Sequence, residues 1–370
     1  MMKEIKSILS LYNKLKSSNE KAAIAQVVRV EESSYRREGA RMLVFESGVF
    51  EGGISGGCLE GDALKRSQMA IFKEKPSIVT YDTSRDDENQ IGVGLGCNGV
   101  IDVLISPITD TLSTIPVLEK CISSRQSHVL ITLTACPDNP ELLGTTYYFD
   151  TSSNILEGNL DPELKEMLLK DISEVLTNKK SGIYNYKLSD GSISAFIELI
   201  PPQFHLVIYG DNYDVYPMLD LAKVMDWEVS LVGNIQKLKK EKLTSVKHIY
   251  NKEDKTSPLI DDRTAIILMA HDFKTDTRNL EQALKSDAVY IASLGPKKRF
   301  IKMENEFQEH GKPLSKASLE RIYAPCGLEL GANTPEEIAI SIFAEILAVF
   351  TGKKGGMLRD KSGPIHERNT

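Results

Sequence analysis

The second half of the chain limits the fold most. After Pro201-Pro202, short apolar runs alternate with longer amphipathic stretches. Phe204–Tyr209, Glu228–Val232, His248–Tyr250, Ala265–Met269, Val289–Leu294 and Arg321–Ala324 read as strands. Val215–Met225, Thr277–Lys285, Lys297–Glu309 and Pro335–Phe350 read as helices. Strands alternating with helices predict a parallel sheet covered on both faces. A Pro-Pro pair favours extended backbone and makes a natural boundary. The division expected is therefore a first domain over 1–200, a Rossmann-like domain over 203–350, and a polar, loosely ordered tail over 351–370.

The first half reads differently. A helix over Ile5–Leu15 precedes strands at Ala23–Val30, Met42–Phe45 and Val49–Glu51, then a helix to about Lys73. Further strands are expected at Ile78–Tyr81, Val100–Ile105, Val129–Leu133, Thr145–Phe149, Gly182–Lys187 and Ala195–Leu199, with helices at Val117–Ser124 and Pro162–Leu176. Strands gathered with few intervening helices indicate an α+β arrangement. The predicted class is thus α/β, an α+β domain followed by a Rossmann-like parallel-sheet domain.

Composition narrows the function classes. A net charge of -7 gives no basic signature for nucleic acid. The N-terminal segment has Lys3, Glu4 and Lys6 among its apolar residues, unlike a secretory leader. The most apolar segment, Ile338 to Phe350, is too short for a membrane span and contains Glu345. A cytoplasmic protein is expected. Its five cysteines include no C-x-x-C pair, so neither a disulfide framework nor a metal site is predicted.

Two glycine-cysteine loops carry the chemical interest. Gly52-Gly53 and Gly56-Gly57 bracket Ile54-Ser55, and Cys58-Leu59-Glu60 leads into a helix. Four glycines this close indicate a sharp turn or a close approach. A thiol at a helix N-terminus sits in the positive field of the dipole, beside amides able to bind an anion. The alternative is a small buried cysteine in a tight turn. Gly92-Val93-Gly94-Leu95-Gly96-Cys97-Asn98-Gly99 is a second such loop. Between the first two strands, Arg36, Arg37 and Arg41 flank Gly39 and could grip a phosphate, or could belong to a solvated loop.

In the second half, Gly210 ends an apolar strand where a dinucleotide-binding loop would begin. The loop continues Asp211-Asn212-Tyr213-Asp214-Val215, with none of the later glycines and with two acids where phosphate would sit. The next strand runs into Gly233-Asn234 rather than an acid for ribose. These features argue against NAD. His271-Asp272 follows another strand end, and Asp276 is a candidate helix cap. Thr334-Pro335-Glu336-Glu337 predicts a capped helix start, with apolar residues around most of the helix so that it is buried.

Taken together, Gly39-Ala40-Arg41-Met42-Leu43-Val44, Ser55-Gly56-Gly57-Cys58-Leu59-Glu60-Gly61, Leu95-Gly96-Cys97-Asn98-Gly99, Ala270-His271-Asp272, Leu294-Gly295 and the segment from Gly327-Leu328 to Thr334-Pro335-Glu336-Glu337-Ile338-Ala339 resemble the XdhC/CoxI family. The resemblance implies an accessory factor rather than a catalyst. It would bind molybdenum cofactor (molybdopterin) and deliver it, after protection or sulfuration, to an apo molybdo-hydroxylase of the xanthine dehydrogenase type. A cysteine desulfurase would be a second partner, and the family often pairs as a homodimer. Cys58 and Cys97 would contact the cofactor through their thiols. Gly56 and Gly57 would cradle it, and Arg37 or Arg41 would meet its phosphate. Glu60 and Asn98 in the same blocks, and Gly210 at the Rossmann turn, complete the candidate cofactor-binding set. The competing readings are an NAD-dependent oxidoreductase or xanthine dehydrogenase-associated subunit, and a regulatory Rossmann protein with no cofactor. The first lacks the cysteine spacing of an Fe–S enzyme.

Overall fold

The computed structural model describes residues 1–32, 34–82, 99–189, 191–251 and 256–362. The chain divides into two compact units, the first Met1–Pro202 and the second beginning at Gln203.

The first unit is built on two antiparallel five-stranded sheets. One holds β1 (Ala22–Glu32), β2 (Arg41–Phe45), β3 (Phe50–Gly52), β4 (Ser77–Asp82) and β5 (Gly99–Pro107), in the order β3-β2-β1-β5-β4. The other holds β6 (His128–Ala135), β7 (Thr146–Asp150), β8 (Ile155–Glu157), β9 (Gly182–Leu188) and β10 (Gly191–Ile200), in the order β8-β7-β6-β10-β9. Helix α1 is Met2–Leu15, α2 Glu60–Lys73, α3 Ile115–Ser123 and α4 Pro162–Asn178.

The strands β1, β2 and β6 are buried along nearly their whole length because both faces of each sheet are covered. Ala63 and Ala70 of α2 pack with Ala25, Val27, Met42 and Val44 on one face of the first sheet. Leu164, Leu168, Ile172 and Val175 of α4 do the same for the second. Between the sheets, Ile24, Leu43 and Phe45 meet Leu130, Tyr148 and Ile200 in one cluster, with Ile5 and Ile8 of α1 and Leu118 of α3. The expected strands and helices are present. Strand β8 was not expected, because its three residues carry no periodicity long enough to read.

The second unit is a six-stranded, wholly parallel sheet. Its strands are β11 (His205–Tyr209), β12 (Glu228–Val232), β13 (His248–Tyr250), β14 (Thr264–Leu268), β15 (Tyr290–Ser293) and β16 (Ile322–Tyr323), in the order β13-β12-β11-β14-β15-β16. That is the doubly wound order, whose switch point lies between β11 and β14. Helices α5 (Val215–Met225) and α9 (Pro335–Phe350) cover one face. Helices α6 (Phe273–Ala283) and α7 (Lys297–Glu309) cover the other, and α8 (Lys316–Glu320) leads into the edge strand. The crossover from β13 to β14 has no helix among the described residues.

Helix α9 starts as its sequence predicts. The Thr334 side chain accepts from the Glu337 amide, and the Glu337 carboxylate accepts from the Thr334 amide. Its burial is one-sided, however: Ile342, Phe343 and Ile346 are in the core, while Ile340 is 51% exposed. Helix α6 begins earlier than expected because Asp272, not Asp276, caps it, accepting from the Thr275 amide at 2.8 Å. No helix among the described residues is long and apolar enough to cross a membrane.

Candidate functional site

The Ser55–Cys58 loop is set by its flanks. β2 and β3 form a hairpin, and at its exit Gly52 takes φ +86° with the Arg41 carbonyl oxygen only 2.3 Å from where a Cβ would be. Only glycine fits so close an approach. The Gly53 amide then donates to the same carbonyl. Ile54 and Leu59 are both buried and belong to the cluster under α2, so they pin the loop at either end. The tip between them, Gly56-Gly57-Cys58, is exposed. Gly57 has φ +111°, with nothing within 4 Å of a Cβ there, so the requirement is for the left-handed backbone, not for space.

Ser55 organises the tip. Its Oγ accepts from the amides of Gly57, Cys58 and Leu59 at 3.2, 3.1 and 3.0 Å. These are the unpaired N–H groups ahead of α2, and they find their acceptor in a side chain upstream. Ser55 in turn donates through its hydroxyl and its amide to Glu60, the first residue of α2. Burial alone would raise the Glu60 carboxyl. The hydrogen bonds from Ser55 and from the start of α2 outweigh it and hold the group below its ordinary range. Of the two glycine amides expected to cradle an anion, that of Gly57 therefore already has an internal partner, and Glu60 acts as the clamp of the loop. Cys58 is a free, exposed thiol lying just before the N-cap of α2. The buried-cysteine alternative does not apply to it.

The segment between β1 and β2 lies against this tip. The ring of Tyr35 sits over Gly56: a Cβ there would be 3.3 Å from its Cδ1 and Cγ. Arg36 pairs with Glu4 of α1, whose other oxygen accepts from the Arg41 amide at 2.8 Å. Arg37 is partly exposed, with no side-chain partner among the described residues. Arg41 corrects an expectation. Its guanidinium is 3% exposed and grips Glu198 of β10 in a fork, also donating to the Gly39 carbonyl at 2.7 Å. Gln26 adds a 3.0 Å bond to the same carboxylate. A buried guanidinium so engaged holds the two sheets together and is not available to a phosphate. Cys97 and Asn98 fall in 83–98, outside the described residues.

The other candidate region is the carboxyl edge of the parallel sheet. Gly210 is required there by packing: a Cβ would meet the Met269 side chain at 2.7 Å and its carbonyl oxygen at 2.9 Å. Asp211 is 3% exposed, and its carboxylate accepts from the Asn234 amide at 3.0 Å and from Lys237 at 3.1 Å. A buried carboxylate thus bridges the ends of β11 and β12, where a dinucleotide would bring phosphate and ribose; this repels such a ligand. Across the switch point, His271, at φ +59°, places Nε2 2.5 Å from Asp214 Oδ2. Asp276 is buried beneath, taking the Ala270 amide at 3.0 Å and Arg299 at 2.7 Å. Burial raises its carboxyl despite those donors. A cleft of about 350 Å³, lined by Gly210, Asp211, Asn251, Ser257 and Arg278 among others, opens beside the described residues of the β13–β14 crossover.

Sequence reasoning did not foresee Tyr35 on Gly56, the Ser55 hub or the partner of Arg41. The pairing of His271 with Asp214 was also missed, since Asp214 read only as a charge opposing phosphate. The remaining described cysteines are no rivals to Cys58. Cys121 and Cys136 are buried, which pushes their thiols up to about 12 and about 11, and burial beside Glu345 takes Cys326 to about 12. Among the described residues no group of His, Cys, Asp and Glu is arranged to hold a metal ion.

Comparison with known proteins bears on both units. A model of the XdhC and CoxI family matches residues 15–82, and a model of the XdhC Rossmann domain matches 206–346. A Bacillus subtilis protein described as a probable subunit of xanthine dehydrogenase is 25% identical over 91% of this chain and 96% of its own length. The Escherichia coli molybdenum cofactor insertion chaperone PaoD is 21% identical over 90% of this chain and 84% of its own. A crystal structure described as a xanthine dehydrogenase from Bacillus halodurans superposes with a TM-score of 0.71 at 26% identity, covering 94% of this chain and 97% of the other.

Proposed function

Since the chain belongs to the XdhC and CoxI family, we propose that it is a cytoplasmic accessory factor that binds molybdenum cofactor and hands it to an apo molybdo-hydroxylase of the xanthine dehydrogenase type. The observation that carries this reading is the Cys58 thiol, exposed on a glycine tip that the core pins at both ends. The chaperone name of one full-length relative supports the accessory role.

The residues present fit the group. A soft thiolate suits a molybdenum-sulfur species. Gly57 leaves open space above the backbone, and Arg37, without a side-chain partner among the described residues, offers its guanidinium to a terminal phosphate. The cofactor supplies oxygen-transfer chemistry once seated in a client enzyme. In this chain, Cys58 and Arg37 would hold it, with Cys97 and Asn98 of the second glycine-cysteine loop as further contacts. Glu60, through Ser55, would keep the tip in one shape before and after handover. Sulfuration before delivery, a cysteine desulfurase as sulfur source, and a homodimer belong to the same proposal. No observation favours an NAD-dependent oxidoreductase over this reading, and the buried Asp211 carboxylate opposes it.

The test is transfer. The protein, purified from cells that make the cofactor, is mixed with a cofactor-free molybdo-hydroxylase, and hydroxylase activity is followed. Activation that depends on the loaded protein is expected. No activation, from protein shown to carry cofactor, would count against delivery.

A further inference from the structure

The geometry points to Tyr35 as the stacking platform for the flat pyrimidinone ring of the cofactor's pterin, a role that rests on the binding function proposed above. Tyr35 is 76% exposed, yet its ring has a fixed seat. The position of a Cβ on Gly56 would lie 3.3 Å from Cδ1, 3.3 Å from Cγ and 3.6 Å from Cδ2. Near-equal distances to three ring atoms on either side of Cγ mean that the ring turns a face, not an edge, to the glycine. One face is therefore laid on the Gly56 backbone and the other is open to solvent, two residues from the exposed Cys58 thiol.

The backbone that follows the ring is anchored. Arg36 is tied to Glu4, the Ala40 amide donates to the Arg37 carbonyl at 3.1 Å, and the Gly39 amide to the Val27 carbonyl at 2.8 Å. A large aromatic held in place but left uncovered is arranged for recognition, since its apolar faces are better buried than wet. Planar heteroaromatic rings stack on such faces with little dependence on substituents, and the pyrimidinone ring is the part of a reduced pterin that stays flat. The arrangement also accounts for Gly56: alanine there would press on the ring and tilt the platform.

The experiment uses the full chain, purified from cells that accumulate molybdopterin; at successive times the retained and released pterin are separated, oxidised and quantified by the fluorescence of the oxidised ring. Tyr35→Phe keeps the ring and is expected to match wild type. Tyr35→Leu keeps apolar bulk without the π-face and is expected to release pterin on the order of tenfold faster. Gly56→Ala is expected to fall between them while melting like wild type, since both residues are exposed. Equal retention by wild type and Tyr35→Leu would overturn the stacking role and leave the binding function standing. Wild-type protein that carries no pterin would overturn the binding function, and the stacking role with it.

Discussion

Arg41→Ala should unfold the first unit early without touching the second. In the folded chain Glu198 is fully buried and receives three donors, two from Arg41 and one from Gln26. The substitution leaves a carboxylate between two sheets with only the Gln26 amide facing it. Breaking a buried pair from one side costs about 3–5 kcal/mol, because the remaining charge cannot regain water. For a unit of this size each kcal/mol moves the melting temperature by roughly 2–4 °C, so a drop of roughly 6–20 °C is expected. The assay can tell the units apart. The single tryptophan, Trp227, lies in the core of the second unit, stacked on Phe343 at 4.7 Å. Its fluorescence follows that unit, while far-ultraviolet circular dichroism follows both. The dichroism of Arg41→Ala should show an early transition that the fluorescence lacks. Arg41→Met with Glu198→Leu, which removes both charges, should melt closer to wild type than Arg41→Ala does. A dichroism transition in Arg41→Ala within roughly 2 °C of wild type would refute the reasoning.

Three further expectations follow from the same geometry. At neutral pH a pyridyl disulfide should label Cys58 well before Cys121, Cys136 and Cys326, whose thiols burial pushes up; peptide mapping that found Cys121 labelled first would contradict this. The Glu60 carboxyl is lowered in the folded chain, so its contribution is full above the unfolded carboxylate range and is lost as pH falls through the folded value. Cys58 labelling should therefore accelerate on acidification relative to a thiol standard, and in Glu60→Gln that acid-induced change should vanish. Glu345 accepts from the Gly327 amide at 2.8 Å and the Tyr290 hydroxyl at 2.6 Å, so Glu345→Ala should destabilise the second unit by about 3 kcal/mol in urea followed by Trp227 fluorescence; a loss under about 1 kcal/mol would show the clamp to be dispensable.

Much of the fold was legible because its signals are local. Mostly apolar runs at β11 and β14 are buried on both faces, and such strands read directly as parallel-sheet cores. The capping box of α9 is written in four adjacent residues. The site was legible only in part. The glycines of Ser55–Cys58 announce a special backbone, but the acceptor of the tip amides is a serine hydroxyl, which no charge pattern reveals. Arg41 and Glu198 are 157 residues apart, so three nearby arginines looked alike although one is buried, one is tied to Glu4 and one has no side-chain partner among the described residues. Asp276 looked like a cap because caps are read from position, yet Asp272 lies in the extended conformation that capping needs. The contact of Tyr35 with Gly56 joins two loops that are separated by a β-hairpin, and only the fold brings them together.

Cofactor retention by Cys58→Ala tests the account most directly. Wild-type and variant chains are purified side by side from cells making molybdenum cofactor, and molybdenum and pterin are measured per chain. The account predicts that the variant folds normally, since Cys58 is exposed, and retains less cofactor by roughly tenfold or more. Equal cofactor in the two proteins would contradict it.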